Sequence, residues 1–425
     1  MNIKSLLQRD SVRTVFASLI AILVGLLAGT VVVVVVGLLN PSISSNIIWD
    51  GVRLIFLGVF NTGRDAAGAL TFGFNPTFFG NMLFRAMPLI LTGLSVAIAY
   101  KTGLFNIGAP GQYLAGICTT LFLALSIPTS SVPAWLVWII AFFGGMIAGA
   151  LWGCIPGLLK SLLNINEVIA CIMTNWLAAS LVTWVFDISN LKNMLEGTKT
   201  GYIYKTSSII NDIIVDGTRT ISGTNLPAGA EVVSTRGGVA TDKMGLDRLF
   251  SGSQVNGGIL IAILLAIIFY IIMEKTTLGY QLKACGSNRH AAKYAGIKDK
   301  RNIVLSMALA GAMAGAAGSL YALSGNTEFF WTTYQSLPAV GFTGIAVALL
   351  AVNNPIGVIF TGTFMSFLNI NGQQLTKMTS YNEYITDVII AVIVYLSAFM
   401  LMFKMWLGRK RKISVSPVRE GEVKK

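Results

Sequence analysis

Apolar residues run in blocks along this chain of 425 residues, and polar residues collect between the blocks. Ten runs stand out, near 14–39, 82–100, 107–126, 134–156, 165–186, 256–273, 302–322, 337–352, 355–372 and 384–406. Roughly 20 helical residues cross about 30 Å of hydrocarbon. The pattern therefore predicts an all-α polytopic membrane protein, with residues 1–425 forming one transmembrane domain. The first run, Val15 to Leu39, contains VVVVVV, outlasts a signal-peptide core and lacks a small-residue cleavage site after it. It reads as a retained first span.

Three stretches depart from the pattern. IIWDGVRLIFLGVF, residues 47–60, is too short to span. It predicts an outward interfacial helix with Trp49, Val52, Phe56 and Val59 on one face and an Asp50–Arg53 pair at i, i+3. Residues 187–254, between the fifth and sixth runs, are polar and rich in Gly, Ser and Thr, with seven acids balancing seven bases. They predict an outward insert of turns and strands, with alternation in SIINDIIVDG as the β signal. The third stretch, GLFNIGAPGQ from Gly103 to Gln112, puts helix breakers and amides between two apolar runs. Non-helical backbone at membrane depth is tolerated only inside protein or beside a wet cavity. A broken or re-entrant segment near 103–112 is expected, with Asn106 and Gln112 turned toward a pathway or bonding helix to helix.

Composition agrees, since 54% hydrophobic against 12% charged residues and a mean hydropathy of +0.71 exclude an ordinary soluble domain. The net charge of +13 would fit a nucleic-acid binder, so the placement of the charges decides. With the N-terminus inside, ten spans return the C-terminus inside, and 20 of the 31 Lys and Arg residues fall on that side. Seven of the remainder lie in the long insert, which the positive-inside rule leaves out, so the comparison is 20 against 4. Both termini, including the basic tail 407–425, are thus expected in the cytoplasm, and the basic balance needs no nucleic acid.

Enzyme chemistry has little to work with. The chain holds no GxxxxGK[ST], HExxH or GxSxG, and His290 is the only histidine. Cys118, Cys154, Cys171 and Cys285 show no ligand spacing, so neither a metal site nor a disulfide is expected. Two stripes of small residues, Gly145, Gly149 and Gly153, and Gly311, Gly315 and Ser319, recur every four positions. That spacing lets helix backbones approach closely.

Polar residues near the apolar runs supply the binding candidates. Asn166 and Glu167 open the fifth run, where capping is the expected role. Asn326 and Glu328 precede Phe329, Phe330 and Trp331, a set of amide, carboxylate and rings that could hold a ribose and a base or form an outer aromatic belt. Asn369, Asn371, Gln373 and Gln374 end the ninth run, and Asp387 is expected to pair within the bundle. Phe105 in the break, Asn175 and Trp176 in NEVIACIMTNW, and Phe342 in GFTGIAVALLAVNNPIG complete the set for a substrate pathway.

The loop EKTTLGYQLKACGSNRHAAKYAGIKDKR, residues 274–301, predicts a short helix over NRHAAKYA with Ser287 as N-cap and Gly296 as its stop. A capped helix offered to the cytoplasm can dock in a groove of a soluble partner. It can equally be a solvated positive loop.

LKACGSNRHAAKYAGI resembles the coupling loop of ABC-importer permeases of the branched-chain amino acid, ribose and nucleoside group. GLFNIGAPGQYLAGI, NEVIACIMTNW and GFTGIAVALLAVNNPIG are similar to further segments of that group, in its order, over most of residues 82–372. The first two are worded most like the nucleoside-type members. Pro110 stands where the group usually has an acid.

The resemblance implies a multi-pass permease of a bacterial plasma membrane without chemistry of its own. Its partners would be a cytoplasmic ATPase that uses ATP and Mg, a second permease in a hetero-dimer, and an extracytoplasmic binding lipoprotein. Coupling to the ATPase would fall to Gly286, Ser287, Asn288, Ala291, Ala292, Tyr294, Ala295 and Gly296. The implied cargo is a nucleoside, with a ribose-type sugar or a branched-chain amino acid as the alternative. An ion-coupled secondary transporter is less expected, because the acids gather near span ends.

Overall fold

A computed structural model describes residues 10–127, 131–189, 191, 209–215, 218–221, 231–237, 239–326, 329, 336–382 and 384–397. Its helices are α1 (Asp10–Leu39), α2 (Ser45–Leu57), α3 (Pro76–Lys101), α4 (Ala109–Ser126), α5 (Ala134–Leu163), α6 (Glu167–Ile188) and α7 (Leu246–Leu249). They continue as α8 (Gly258–Lys275), α9 (Thr277–Ser287), α10 (Arg289–Tyr294), α11 (Asp299–Ala322), α12 (Ala339–Leu350), α13 (Pro355–Met378) and α14 (Tyr384–Ser397). Each of the ten apolar runs coincides with a helix. Among the described residues, five helices are long and apolar enough to cross a membrane: α3, α5, α6, α8 and α11.

The eighth run, 337–352, is shorter than its hydropathy implied. α12 has 12 residues, about 18 Å of helix, less than the hydrocarbon thickness. It ends where Val352 (φ 50°) and Asn353 (φ 55°) take left-handed backbone, a rare state for a β-branched residue. The Asn354 side chain then caps α13 by accepting from the N–H groups of Ile356 (2.9 Å) and Gly357 (3.2 Å).

The bundle is centred on α3 and α11. α5 lies along α11 because the two small-residue stripes face each other: a Cβ built on Gly315 would stand 2.5 Å from Gly145 O and 3.0 Å from Gly149 Cα. On its other side α5 exposes Trp135, Ile139, Phe143, Ile147 and Leu151, an apolar stripe at helical spacing suited to lipid. α4 joins the same crossing, since a Cβ on Gly116 would stand 2.5 Å from Gly315 O.

The region 45–72 differs from the expectation in detail. α2 buries Gly51, Leu54 and Ile55, whereas Trp49 is exposed. Asp50 pairs with Arg64 at 2.9 Å rather than with Arg53, whose guanidinium lies 5.3 Å from the Trp49 ring centroid. Arg64 comes from a hairpin of β1 (Asn61–Arg64) and β2 (Leu70–Phe72), which brings it back over α2.

In the insert, β3 (Ile209–Val215), β4 (Thr218–Ile221) and β5 (Glu231–Gly237) form an antiparallel sheet in the order β4-β3-β5. The strand expected from SIINDIIVDG is β3. The insert returns to the helices where Thr241 N–H donates to Leu323 O at 2.7 Å and Gln254 N–H to Asn81 Oδ1 at 2.9 Å. The basic tail and the end of the tenth run at 406 lie outside the described residues.

Candidate functional site

Lys101 ends α3, and Gly103, with φ +74°, turns the chain back toward the bundle. The five residues that follow carry no helix, and α4 begins at Ala109 with Pro110 in its first turn, where a missing N–H costs nothing. The helices are thus interrupted within GLFNIGAPGQ. Its Asn106 reaches Ser95, well inside α3: Nδ2 donates to Ser95 Oγ at 2.9 Å and to Gln112 Oε1 at 2.8 Å. Asn106 Oδ1 accepts from Gly108 N–H at 3.0 Å and from Gln112 Nε2 at 3.1 Å. Asn175 of α6 holds the other side, accepting from Gly111 N–H at 2.9 Å and donating to Ile107 O at 3.0 Å.

Asn106, Gln112 and Asn175 are all buried. The two amides of the break spend their hydrogen bonds on each other, on the Ser95 hydroxyl and on backbone, so the alternative in which they bind structure to structure describes this conformation. Phe105 is half-buried, whereas Trp176 is 44% exposed and Phe342 40%. Exchanging Asn106 for leucine orphans the Gln112 amide and Gly108 N–H in a dry interior, at about 1–3 kcal/mol for each group. Asn106→Leu is expected to lower the amount of folded protein in membranes and its melting temperature together with transport. Transport lost at unchanged thermal stability would show instead that Asn106 serves the cargo.

The loop predicted to dock a partner packs directly on this break. Residues 277–287 form α9, a helix the sequence did not signal because its apolar positions are few. It occupies Ser287, so the N-cap of α10 is Asn288, which accepts from Ala291 N–H at 3.0 Å, and not Ser287. Gly296 is the stop: φ is +79°, and the Ile297 N–H donates to Ala292 O at 3.0 Å. Tyr294 is 94% exposed at the end of α10, with Ala292 tucked beneath and Arg289 held to Asp299 at 2.7 Å.

Two contacts join α9 to the break. Glu274 receives Lys101 from α3 at 2.8 Å and Lys283 from α9 at 2.9 Å. Gly286 lies on the turn itself: a Cβ there would meet Lys101 O at 2.7 Å, Thr102 C at 2.7 Å and Gly103 N at 2.8 Å. Below them the hydroxyls of Thr102 and Ser306 are hydrogen-bonded, which ties the turn to α11.

The outer candidates fall elsewhere. Asn326 Nδ2 donates to Gln254 O at 2.7 Å, and Phe329 packs on Phe186 with ring centroids 5.5 Å apart. Glu328, Phe330 and Trp331 lie outside the described residues. Asn166 caps α6 by accepting from Val168 N–H at 2.8 Å, the role expected of it, and Glu167 in the first turn pairs with Lys160 at 2.9 Å. Asp387 is exposed and has no ion pair among the described residues, against the expected pairing. At the end of α13, Asn371 accepts from Val59 N–H at 2.8 Å and donates to Ile55 O at 2.7 Å, while Gln374 accepts from Asn61 at 3.2 Å. The predicted pathway residues thus divide among the break, the outer end and two exposed rings.

One charged group was missed. Arg85 lies inside α3 and faces Gln373 of α13. Its signal was present, since an arginine within the apolar run MLFRAMPLI is costly at membrane depth.

Comparison with known proteins adds to this geometry. The model of the family "branched-chain amino acid transport system / permease component" matches residues 78–398. The nucleoside ABC transporter permease protein NupB of Lactococcus lactis is 34% identical over 96% of this chain and 97% of its own. The guanosine ABC transporter permease protein NupP of Bacillus subtilis is 30% identical over 93% and 96%, respectively. The glucose ABC transporter permease protein TsgB13 of Haloferax volcanii is 29% identical over 86% and 89%. No solved structure matches the chain.

Proposed function

The chain belongs to the branched-chain amino acid transport system permease family, and on that premise we propose that it is the membrane subunit of an ATP-driven nucleoside importer. The observation that carries the mechanism is the seat of α9 on the break, with α10 directly after it. An ATPase bound to the exposed surface around Tyr294 would move α9, which rests on Lys101, Gly103 and the segment that Asn106 holds. A rigid-body shift at one end of the bundle then reaches α3, α4 and α6 through contiguous packing. ATP and Mg act on the partner, and this chain binds no cofactor.

In this reading, Asn288, Ala291, Tyr294, Ala295 and Gly296 form the docking surface, with Ser287 ending the helix before it, Ala292 packed beneath and Gly286 seating α9 on the break. Asn106, Gln112 and Asn175 maintain the break, while Phe105, Trp176, Phe342 and the outer Asn326, Glu328 and Phe329 border the route of the cargo. The binding lipoprotein delivers from the side of Asn326, and a second permease completes the pathway against an apolar face of this chain. The spans follow the positive-inside orientation, with both termini and 274–301 in the cytoplasm. The nucleoside cargo rests on the names of the two relatives above 29% identity, and the glucose relative makes a sugar the competing cargo.

Uptake of labelled nucleoside into cells carrying the chain with its neighbouring subunits tests this. Uptake is expected to vanish when the ATPase is deleted, and persistence would overturn the ATP-driven assignment. A lipoprotein that binds glucose or leucine but no nucleoside would overturn the cargo.

A further inference from the structure

Arg85 is the tenth residue of the 26-residue α3, about 14 Å along its axis from the start. At that depth a cation is retained only with a partner or a task. No carboxylate pairs with it among the described residues. Its partner is the neutral amide of Gln373: with the amide oxygen turned toward the guanidinium, Oε1 accepts from Nη1 at 2.7 Å and from Nη2 at 2.8 Å. Asn371 and Gln374, which flank Gln373, are buried and committed to backbone or Asn61 in the region 55–61, whereas Gln373 is half-exposed.

Arg85 is half-exposed too, as is Tyr321 of α11, whose phenol lies within electrostatic reach of the guanidinium. The Tyr321 ring is stacked with Phe84 at a centroid distance of 6.2 Å and tilted toward Tyr113 at 6.4 Å. Pro88, one turn below, cannot donate to the carbonyl of Phe84, so α3 is weakened beside Arg85. A forked cation, a neutral amide and the half-exposed Tyr321 ring thus meet where α3 lies between α11 and α13, with Phe84 and Tyr113 packed behind the Tyr321 ring.

We propose that Arg85 and Gln373 form the selectivity station of the pathway, where Arg85 binds the carbonyl edge of a 6-oxopurine nucleoside while the base lies against the Tyr321 ring, which Phe84 backs. The inference rests on the nucleoside reading above and deepens it. A guanidinium donates five N–H groups and accepts none. Its planar fork fits two adjacent acceptors, and the O6 and N7 atoms of a 6-oxopurine are such a pair. Adenine puts a donor at the same edge, and donor facing donor is penalised where water is scarce. Gln373, a neutral partner, yields Arg85 to the cargo more readily than a carboxylate would.

The test uses the complete importer in cells without other purine nucleoside uptake. Initial rates are measured for labelled inosine and adenosine, with labelled leucine as a carboxylate probe. In Arg85→Gln the inosine-to-adenosine rate ratio is expected to fall about tenfold. Arg85→Lys should recover only part of it, because an ammonium lacks the fork. Gln373→Glu, which supplies a counter-charge that ties up Arg85, should depress inosine uptake tenfold or more. The Gln373→Glu result stands alone if the Arg85 variants do not assemble. An unchanged ratio in assembled Arg85→Gln, or inosine uptake unaffected by Gln373→Glu, overturns the assignment while leaving the nucleoside reading intact. Leucine uptake that depends on Arg85, with no nucleoside uptake by the unaltered importer, overturns both.

Discussion

Gly315→Leu is expected to leave almost no folded protein in the membrane. Gly315 is the point where α4, α5 and α11 cross, and the atoms around it belong to backbone: Gly145 O at 2.5 Å and Gly149 Cα at 3.0 Å from a built Cβ on one side, and Gly116 on the other. A side chain that meets another side chain can rotate away, but backbone inside two helices moves only if the helices separate. Ordinary overpacking costs about 1–3 kcal/mol, and separating α5 from α11 adds the loss of the closest packing in the bundle. Lipid supplies no compensating hydrophobic drive for the parted faces. Gly315→Ala should already lower the melting temperature in detergent. Size-exclusion profiles of tagged variants check the series, and a monodisperse Gly315→Leu peak of normal height would mean that the stripes are not the contact that holds the bundle.

Gly286→Val should have the opposite signature, with assembly preserved and transport lost. Its contacts, Lys101 O at 2.7 Å and Gly103 N at 2.8 Å from a built Cβ, lie at the end of the bundle where α9 rests on the break. The strain is relieved by lifting α9, at the expense of the Glu274 pairs with Lys101 and Lys283. These pairs are partly exposed, so their loss removes about 0–1 kcal/mol each, too little to unfold the chain. A lifted α9 no longer carries motion into the segment held by Asn106. Uptake is expected to fall more than tenfold while the subunits still co-purify, and ATP hydrolysis by the complex should stop responding to cargo-loaded lipoprotein. Normal uptake in Gly286→Val would remove this contact from the mechanism.

The comparison of sequence with structure turns on the range over which each feature acts. Apolar blocks, the stop at Gly296 and the cap at Asn166 depend on residues within a turn or two, and all were legible in the chain, whereas the turn at Gly103 was not singled out. The two small-residue stripes were legible as well, but nothing in their spacing says that they face each other. α9 was hidden because only its partner surface, the break, makes a helix of so few apolar residues worthwhile.

The candidate site divides the same way. The sequence by itself determined that a polar break interrupts the apolar runs and that a short helix follows the sixth, because backbone preferences and the cost of burying polar groups are local. Only the tertiary structure decided that Asn106 and Gln112 satisfy each other, that Asp50 chooses Arg64 over Arg53, and that α12 is half a span. It alone brought Arg85 to Gln373 and Tyr321 across three helices. Partner choice among distant groups is settled by which helix faces close on one another, and that follows from the packing of the whole bundle rather than from any stretch of the chain.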